Sequence, residues 1–201
     1  MPTSEKIRSR QRTRKLFIKT LRNVLKIPEK LKVSEWAEKY RILDSSSNFK
    51  GRWSNEITPY LIGIMDAIND PYIQEINFCK PTQVGGTEAM LNMLGWIISE
   101  DPAPAMIVYP TDDLAKDTSR DRLRPSLLKT EEIKNKYLER ASNELNLKFR
   151  GMTIYLRSAG SPSKLASKAI KYLFFDEIDK IGGASKKEAS PYNLARERTR
   201  T

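Results

Sequence analysis

The chain has 201 residues, with 36 Lys or Arg against 25 Asp or Glu, a formal net charge of +11, one cysteine and no histidine. Lack of histidine excludes histidine-based acid–base or triad chemistry and leaves little from which to build a zinc site, while the lone Cys79 excludes an internal disulfide and fits a reducing compartment. The basic balance points to a polyanionic partner such as nucleic acid, and no stretch approaches the ~18 apolar residues of a membrane span, so a soluble intracellular protein is expected.

The length suits one domain plus an appendage. Residues 1–32 hold eleven Lys or Arg and two acids, a net charge of +9, so most of the excess charge sits in an N-terminal arm. Residues 1–15 are polar and arginine-rich and are expected to be disordered in isolation. Leu16, Phe17, Thr20, Leu21, Val24 and Leu25 then recur at helical spacing before Pro28, which predicts an amphipathic basic helix. Docking on a partner, on DNA phosphates or on its own domain would each suit that helix. Val33 to Tyr40 reads as a further short helix with Ser34 as its N-cap. The arm and its helices are assigned to residues 1–45, and the phosphate-loop domain to 46–201.

Residues 45–59 are rich in Ser, Asn and Gly and lead into a helix over 60–68. Trp53 and Tyr60 stand just upstream of the first expected core strand, where a phosphate-loop motor can place an aromatic platform for adenine; ordinary core packing is the alternative. Residues 74–78 (QEINF) alternate like a strand, and the apolar run after Glu88 is long enough for a buried helix. Between them lies FCKPTQVGGT, so strand, loop and helix follow in phosphate-loop order. Against G-x-x-x-x-G-K-[ST], Gly85 and Thr87 hold their places, Gly86 replaces the lysine and Lys80 replaces the first glycine. Phosphate binding needs bare backbone donors, a helix N-terminus and a cation, here offered by Gly85 and Gly86, the helix from Thr87, and Lys80 from the far end of the loop. An ordinary Gly-Gly turn before a helix would leave the same letters.

Residues 105–109 (AMIVY) read as a buried strand, and Thr111 and Asp112 as caps of a helix beginning near Asp113. Its continuation carries Arg120, Arg122 and Arg124, either a solvated face or a set that reaches DNA or a neighbouring subunit's nucleotide. A charged helix is expected over 131–141. Leu145, Leu147 and Phe149, then Met152, Ile154 and Leu156, alternate about Arg150-Gly151 and predict a hairpin with one apolar face. A short helix follows the loop at 158–163. KYLFF then fits a central parallel strand, buried on both faces, that delivers Asp176 and Glu177 at its C-terminal end. There Asp176 can hold Mg²⁺ jointly with the Thr87 hydroxyl, while Glu177 polarises an attacking water. Acids after a strand also serve as helix caps. Residues 180–190 read as flexible and basic, and a helix-like NLARERTR follows.

Taken together, GRW and PY in residues 51–60, KPTQVGGT with its displaced lysine, YPTDDLAKD, LRP, GSPSKLASK and YLFFDEID resemble the ATPase region of large terminase subunits of tailed phages, specifically the lambda-type (GpA) family. The resemblance runs from about Val33 to Arg198. It implies an α/β P-loop NTPase of the ASCE type with a mainly parallel central sheet flanked by helices, binding ATP and Mg²⁺ and driving double-stranded DNA into a procapsid in the host cytoplasm. It implies partners in the small terminase subunit and the portal, and assembly as a homo-oligomeric ring. The family's ATP-binding role would fall on Lys80, Gln83, Val84, Gly85, Gly86 and Thr87, its magnesium aspartate on Asp176 and its catalytic glutamate on Glu177. An arginine supplied by the next subunit would be Arg122 or Arg124. Many terminases carry an arginine in the loop where this chain has Gln83, and often an adenine-reading glutamine where it has Leu61. No nuclease region follows, so an excised or truncated ATPase piece is expected. A helicase-like translocase and a degenerate DNA-binding or assembly module are the competing readings.

Overall fold

The computed structural model describes residues 30–44, 47, 49–181 and 190–199. The basic helix expected over 16–28, the arm before it and most of the stretch at 180–190 lie outside the described residues. Residues from Leu31 onward form one compact unit.

Helix α1 (Val33–Tyr40) has the bounds its sequence predicts, but Ser34 does not cap it. The Ser34 amide and hydroxyl both donate to Asp66 at 2.8 Å, so this residue ties α1 to the following helix instead. A short ribbon pairs β1 (Ile42–Leu43) with β2 (Gly51–Arg52). Helix α2 (Tyr60–Asp66) runs into a tight turn at Ala67–Asn69. Residues 74–78, expected as the strand before the loop, form no strand. QEINF offers Ile76 and Phe78 as apolar contacts, and of these only Phe78 packs on the core while Ile76 is exposed, too little burial to hold a strand in the sheet. Helix α3 (Gly86–Glu100) then buries ten successive residues from Ala89 to Ile98. Its close approach to α1 depends on Gly95, where a β-carbon would lie 2.2 Å from the buried Trp36 ring.

Strand β3 (Ala105–Tyr109) is buried throughout. Helix α4 (Asp112–Thr118) follows, its N-cap being Thr111, whose hydroxyl accepts from the Leu114 amide at 3.2 Å. A π-helical turn over Ser119–Leu123 leads into α5 (Arg124–Leu128) and α6 (Glu131–Lys134). The charged helix expected over 131–141 therefore stops after one turn. Backbone pairing to the hairpin overrides it: the Leu138 amide donates to the Lys148 carbonyl at 2.9 Å, and the Arg150 amide to the Lys136 carbonyl at 2.8 Å. The hairpin itself forms as predicted, β4 (Asn146–Phe149) against β5 (Met152–Ser158), with Gly151 at φ 85° in its turn. Helix α7 (Pro162–Leu165), strand β6 (Tyr172–Phe175) and helix α8 (Pro191–Arg196) complete the described elements.

The central sheet has the order β4-β5-β3-β6, with β3 parallel to both β5 and β6 and β4 antiparallel to β5. The fold is thus α/β, with a mostly parallel sheet between helices. Ala105, Ile107 and Tyr109 pack toward α3, while Met106 and Val108 face Leu165, Ile170 and Ala195. The apolar run before Asp176 is not a central strand: β6 ends the sheet and all four of its residues are only half-buried, because residues 74–78 add no strand to its outer edge. No helix among the described residues is long and apolar enough to cross a membrane.

Candidate functional site

Parallel pairing brings the C-terminal ends of three strands to one level. Tyr109 of β3 pairs with Ser158 of β5, and Val108 with Phe175 of β6, so the Asp176 amide reaches the Val108 carbonyl at 3.3 Å. Side chains alternate along a strand. Tyr172 and Phe174 pack on the α3 side and Leu173 and Phe175 on the other, which turns Asp176 to the α3 side, where Tyr109 also lies.

The glycine-rich loop enters α3 from the same side. Gln83 at φ 60° and Gly85 at φ 77° both adopt left-handed backbone. That conformation is free of steric cost for glycine but costs Gln83 about 1–3 kcal/mol, strain of a kind that gathers at functional loops. Two residues of α2 brace the turn. The exposed Tyr60 donates its hydroxyl to the Val84 carbonyl at 3.1 Å, and the buried Leu61 sits beneath Gly85, its Cδ1 3.1 Å from where a β-carbon would be. Leu61 thus supports the loop from below. Trp53 is placed in the core, with its indole N–H on the Asn55 side chain at 2.8 Å, and does not stand beside Tyr60 as an open aromatic face.

Lys80 folds back over the loop. A β-carbon on Gly86 would lie 2.3 Å from Lys80 Cδ, 2.4 Å from Cε and 3.3 Å from Nζ, so the lysine stem fills the space beside the helix start. Burial raises the Asp176 carboxyl above its usual range; the Lys80 charge opposes this, the neighbouring Glu177 adds to it, and Arg122 opposes it. Lys80, Asp176, Glu177 and Arg122 thus share one electrostatic environment. Glu177 takes left-handed backbone at φ 55°, and its carboxylate lies 3.1 Å from Lys180. Thr87 is half-buried in the first turn of α3, one residue after Gly86.

The structure separates the three arginines of the α4–α5 connection. Arg120 faces solvent and pairs with Asp117 and Asp121 at 2.8 Å each. Arg122 turns toward the loop, with Nη2 3.7 Å from Glu88 Oε1. Arg124 opens α5 half-buried, and its Nε is enclosed without a hydrogen-bond partner among the described residues. Two residues that sequence reasoning missed complete the surroundings. Arg41, fully buried, reaches Glu88 Oε2 at 3.1 Å. The Tyr109 hydroxyl is buried with no partner among the described residues, and burial, with Asp176 nearby, raises its pKa. A signal for the first pair was present: Glu88 is an acid at the head of an otherwise apolar helix, where the charge needs a partner.

These residues fit a magnesium nucleotide. The first N–H groups of α3 have no partners within the helix, Gly86 leaves room for the Lys80 stem, Lys80 supplies a cation at the helix start, and the Thr87 hydroxyl and Asp176 carboxylate are oxygen donors of the type a hard cation takes.

Residues 47–201 match the family described as phage terminase large subunit gpA, ATPase domain. The chain is 26% identical over 183 residues to a terminase large subunit of Enterobacteria phage P21, covering 86% of this chain and 28% of that protein. It is 30% identical over 101 residues to a terminase large subunit of Escherichia phage lambda, covering 50% of this chain and 15% of that protein. It therefore spans less than a third of the length of either relative. The chain belongs to the gpA family of phage terminase large subunits, and the part that matches is the family's ATPase domain.

Proposed function

We propose that this chain is the ATPase motor part of a DNA-packaging terminase, a P-loop NTPase of the ASCE type that hydrolyses ATP to move double-stranded DNA into a procapsid. The observation that carries the reading is Lys80 lying across Gly86 while its charge bears on Asp176 at the strand ends. A lysine entering from the front of the loop thereby does the work of one entering from the back, since phosphate recognition depends on where the ammonium group sits and not on its place in the sequence.

The backbone amides of Gly85, Gly86 and Thr87 would bind phosphate oxygens, with the helix start adding its partial positive charge. Val84 and Gln83 shape the loop, and Tyr60 holds it through the Val84 carbonyl. Thr87 and Asp176 would hold Mg²⁺, which supplies charge neutralisation across the phosphates and a template for the displacement. Glu177 would orient and deprotonate the attacking water, and its pairing with Lys180 holds the carboxylate in place until then. Arg124 is assigned as the arginine that completes the site of the next subunit in a ring. The same reading places the protein in the host cytoplasm with DNA, a small terminase subunit and a portal as partners, and assigns a basic arm to the residues ahead of the compact unit that begins at Leu31.

The test is Mg-dependent phosphate release from ATP by the intact protein, with DNA, small subunit and procapsids added in turn. Turnover that DNA or procapsids stimulate supports the motor. A folded protein that binds no nucleotide under any of these conditions would leave a degenerate DNA-binding or assembly module in its place.

A further inference from the structure

We propose that Glu88 is a positioning residue that holds Arg122 beside its own subunit's phosphate site, with Arg41 as the fixed point, and that a third phosphate draws Arg122 away from it. The inference rests on the phosphate-site reading above.

Arg41 is the immobile end. It is fully buried, and its guanidinium donates to the Ile42 carbonyl at 2.5 Å, the Ser126 carbonyl at 2.8 Å and Glu88 Oε2 at 3.1 Å. Burial lowers its pKa and Glu88 opposes the shift, so the carboxylate is what keeps this buried cation compensated. Removing one member of such a pair leaves an uncompensated charge in the interior, so the Arg41–Glu88 contact is costly to break.

Arg122 is the loosely held end. The 3.7 Å between its Nη2 and Glu88 Oε1 is too long for a hydrogen bond, so the hold is electrostatic, and its side chain remains 44% exposed. Its Nε has no partner among the described residues. It lies in the π-helical turn over Ser119–Leu123, whose wider winding turns a side chain out of the α-helical register. The charge that results bears on both Tyr109 and Asp176, at the strand ends where the carboxylates gather.

Glu88 lies in the first turn of α3, the turn whose amides are assigned to phosphate. An uncompensated anion there would repel the ligand, and the two arginines cancel it. A diphosphate leaves this arrangement intact. A third phosphate offers Arg122 a stronger acceptor than a carboxylate at 3.7 Å, so Arg122 acts in cis as the group that tells a triphosphate from a diphosphate. Arg120, paired with Asp117 and Asp121, is not available for this role.

Equilibrium binding of ATPγS and ADP, each with Mg²⁺, to the intact protein tests the assignment. Arg122→Ala should weaken ATPγS about ten-fold or more while ADP changes less than about two-fold, the scale of one lost charge-assisted hydrogen bond. Arg122→Lys should restore part of the preference. Glu88→Gln should release Arg122 and raise the preference for ATPγS about three-fold, yet leave it unmoved when Arg122 is already Ala. Glu88→Gln also weakens the hold on Arg41, so Glu88→Asp, which keeps the charge on a shorter stem, serves if the first variant does not fold. Equal loss of both nucleotides in Arg122→Ala, or a Glu88 effect of the same size with and without Arg122, would overturn the inference alone. Wild-type protein that binds neither nucleotide would overturn the phosphate-site reading as well.

Discussion

The Lys80 side chain occupies the space that a side chain at Gly86 would need, with only 2.3 Å between Lys80 Cδ and the position of a β-carbon on residue 86. The lysine that enters from the front of the loop thus uses the room that glycine leaves at the back. Gly86→Ala adds one methyl group and removes no donor, yet it should push Lys80 off the loop and weaken Mg-nucleotide binding about ten-fold. Titration with a fluorescent nucleotide, beside a thermal melt showing an unchanged fold, checks this. Unchanged affinity would mean that the lysine stem is free to lie elsewhere.

Asp176 and Glu177 are adjacent but differently placed, the first half-buried near Lys80, the second exposed in left-handed backbone against Lys180. Asp176→Asn should weaken Mg-dependent nucleotide binding. Glu177→Gln should leave binding intact and slow hydrolysis by about 10²-fold or more, the usual scale for losing a general base. Binding and single-turnover measurements on the two variants separate these effects, and equal loss of binding in both would remove the distinction.

Arg124 is expected to act on a neighbouring subunit. Turnover by wild-type protein should then rise steeply with protein concentration, and Arg124→Ala should abolish turnover while sparing nucleotide affinity. Mixing Arg124→Ala with Lys80→Ala should recover some activity, since each variant supplies what the other lacks. A monomer hydrolysing ATP at full rate would exclude the assignment.

Much of this arrangement was legible in the sequence where one segment carries its own periodicity. Helix α1, the hairpin of β4 and β5 and the buried strand β3 need only their own pattern and turn residues, and each lies where that pattern puts it. Segments whose fate depends on a distant neighbour did not follow their local signal. Residues 74–78 alternate like a strand but bury too little to stay in the sheet, and 131–141 reads as a helix but spends its later amides on the hairpin. Trp53 has the composition of a stacking platform, and its place in the core depends on contacts that sequence does not display. The Arg41–Glu88 pair joins residues 47 positions apart, and no local spacing rule connects them.

Residues 1–32 carry +9 with few groups able to read base edges, which gives affinity through counterion release and little discrimination. DNA binding by the intact protein should weaken steeply with salt, and deleting residues 1–32 should flatten that slope while leaving nucleotide affinity unchanged. If the arm serves an acidic partner instead, the truncation should abolish capture of the small terminase subunit. Unchanged slopes together with unchanged capture would leave the arm as a solvated extension.

Everything assigned to the site turns on whether Lys80, from the front of the loop, supplies the cation that holds the phosphates. The most direct measurement is steady-state Mg-dependent phosphate release from ATP by the intact protein and by Lys80→Ala, in the presence of DNA and with a thermal melt to show that the variant folds. Turnover by the wild type that falls to background in the variant is the expected result. Near-normal turnover by Lys80→Ala would contradict it.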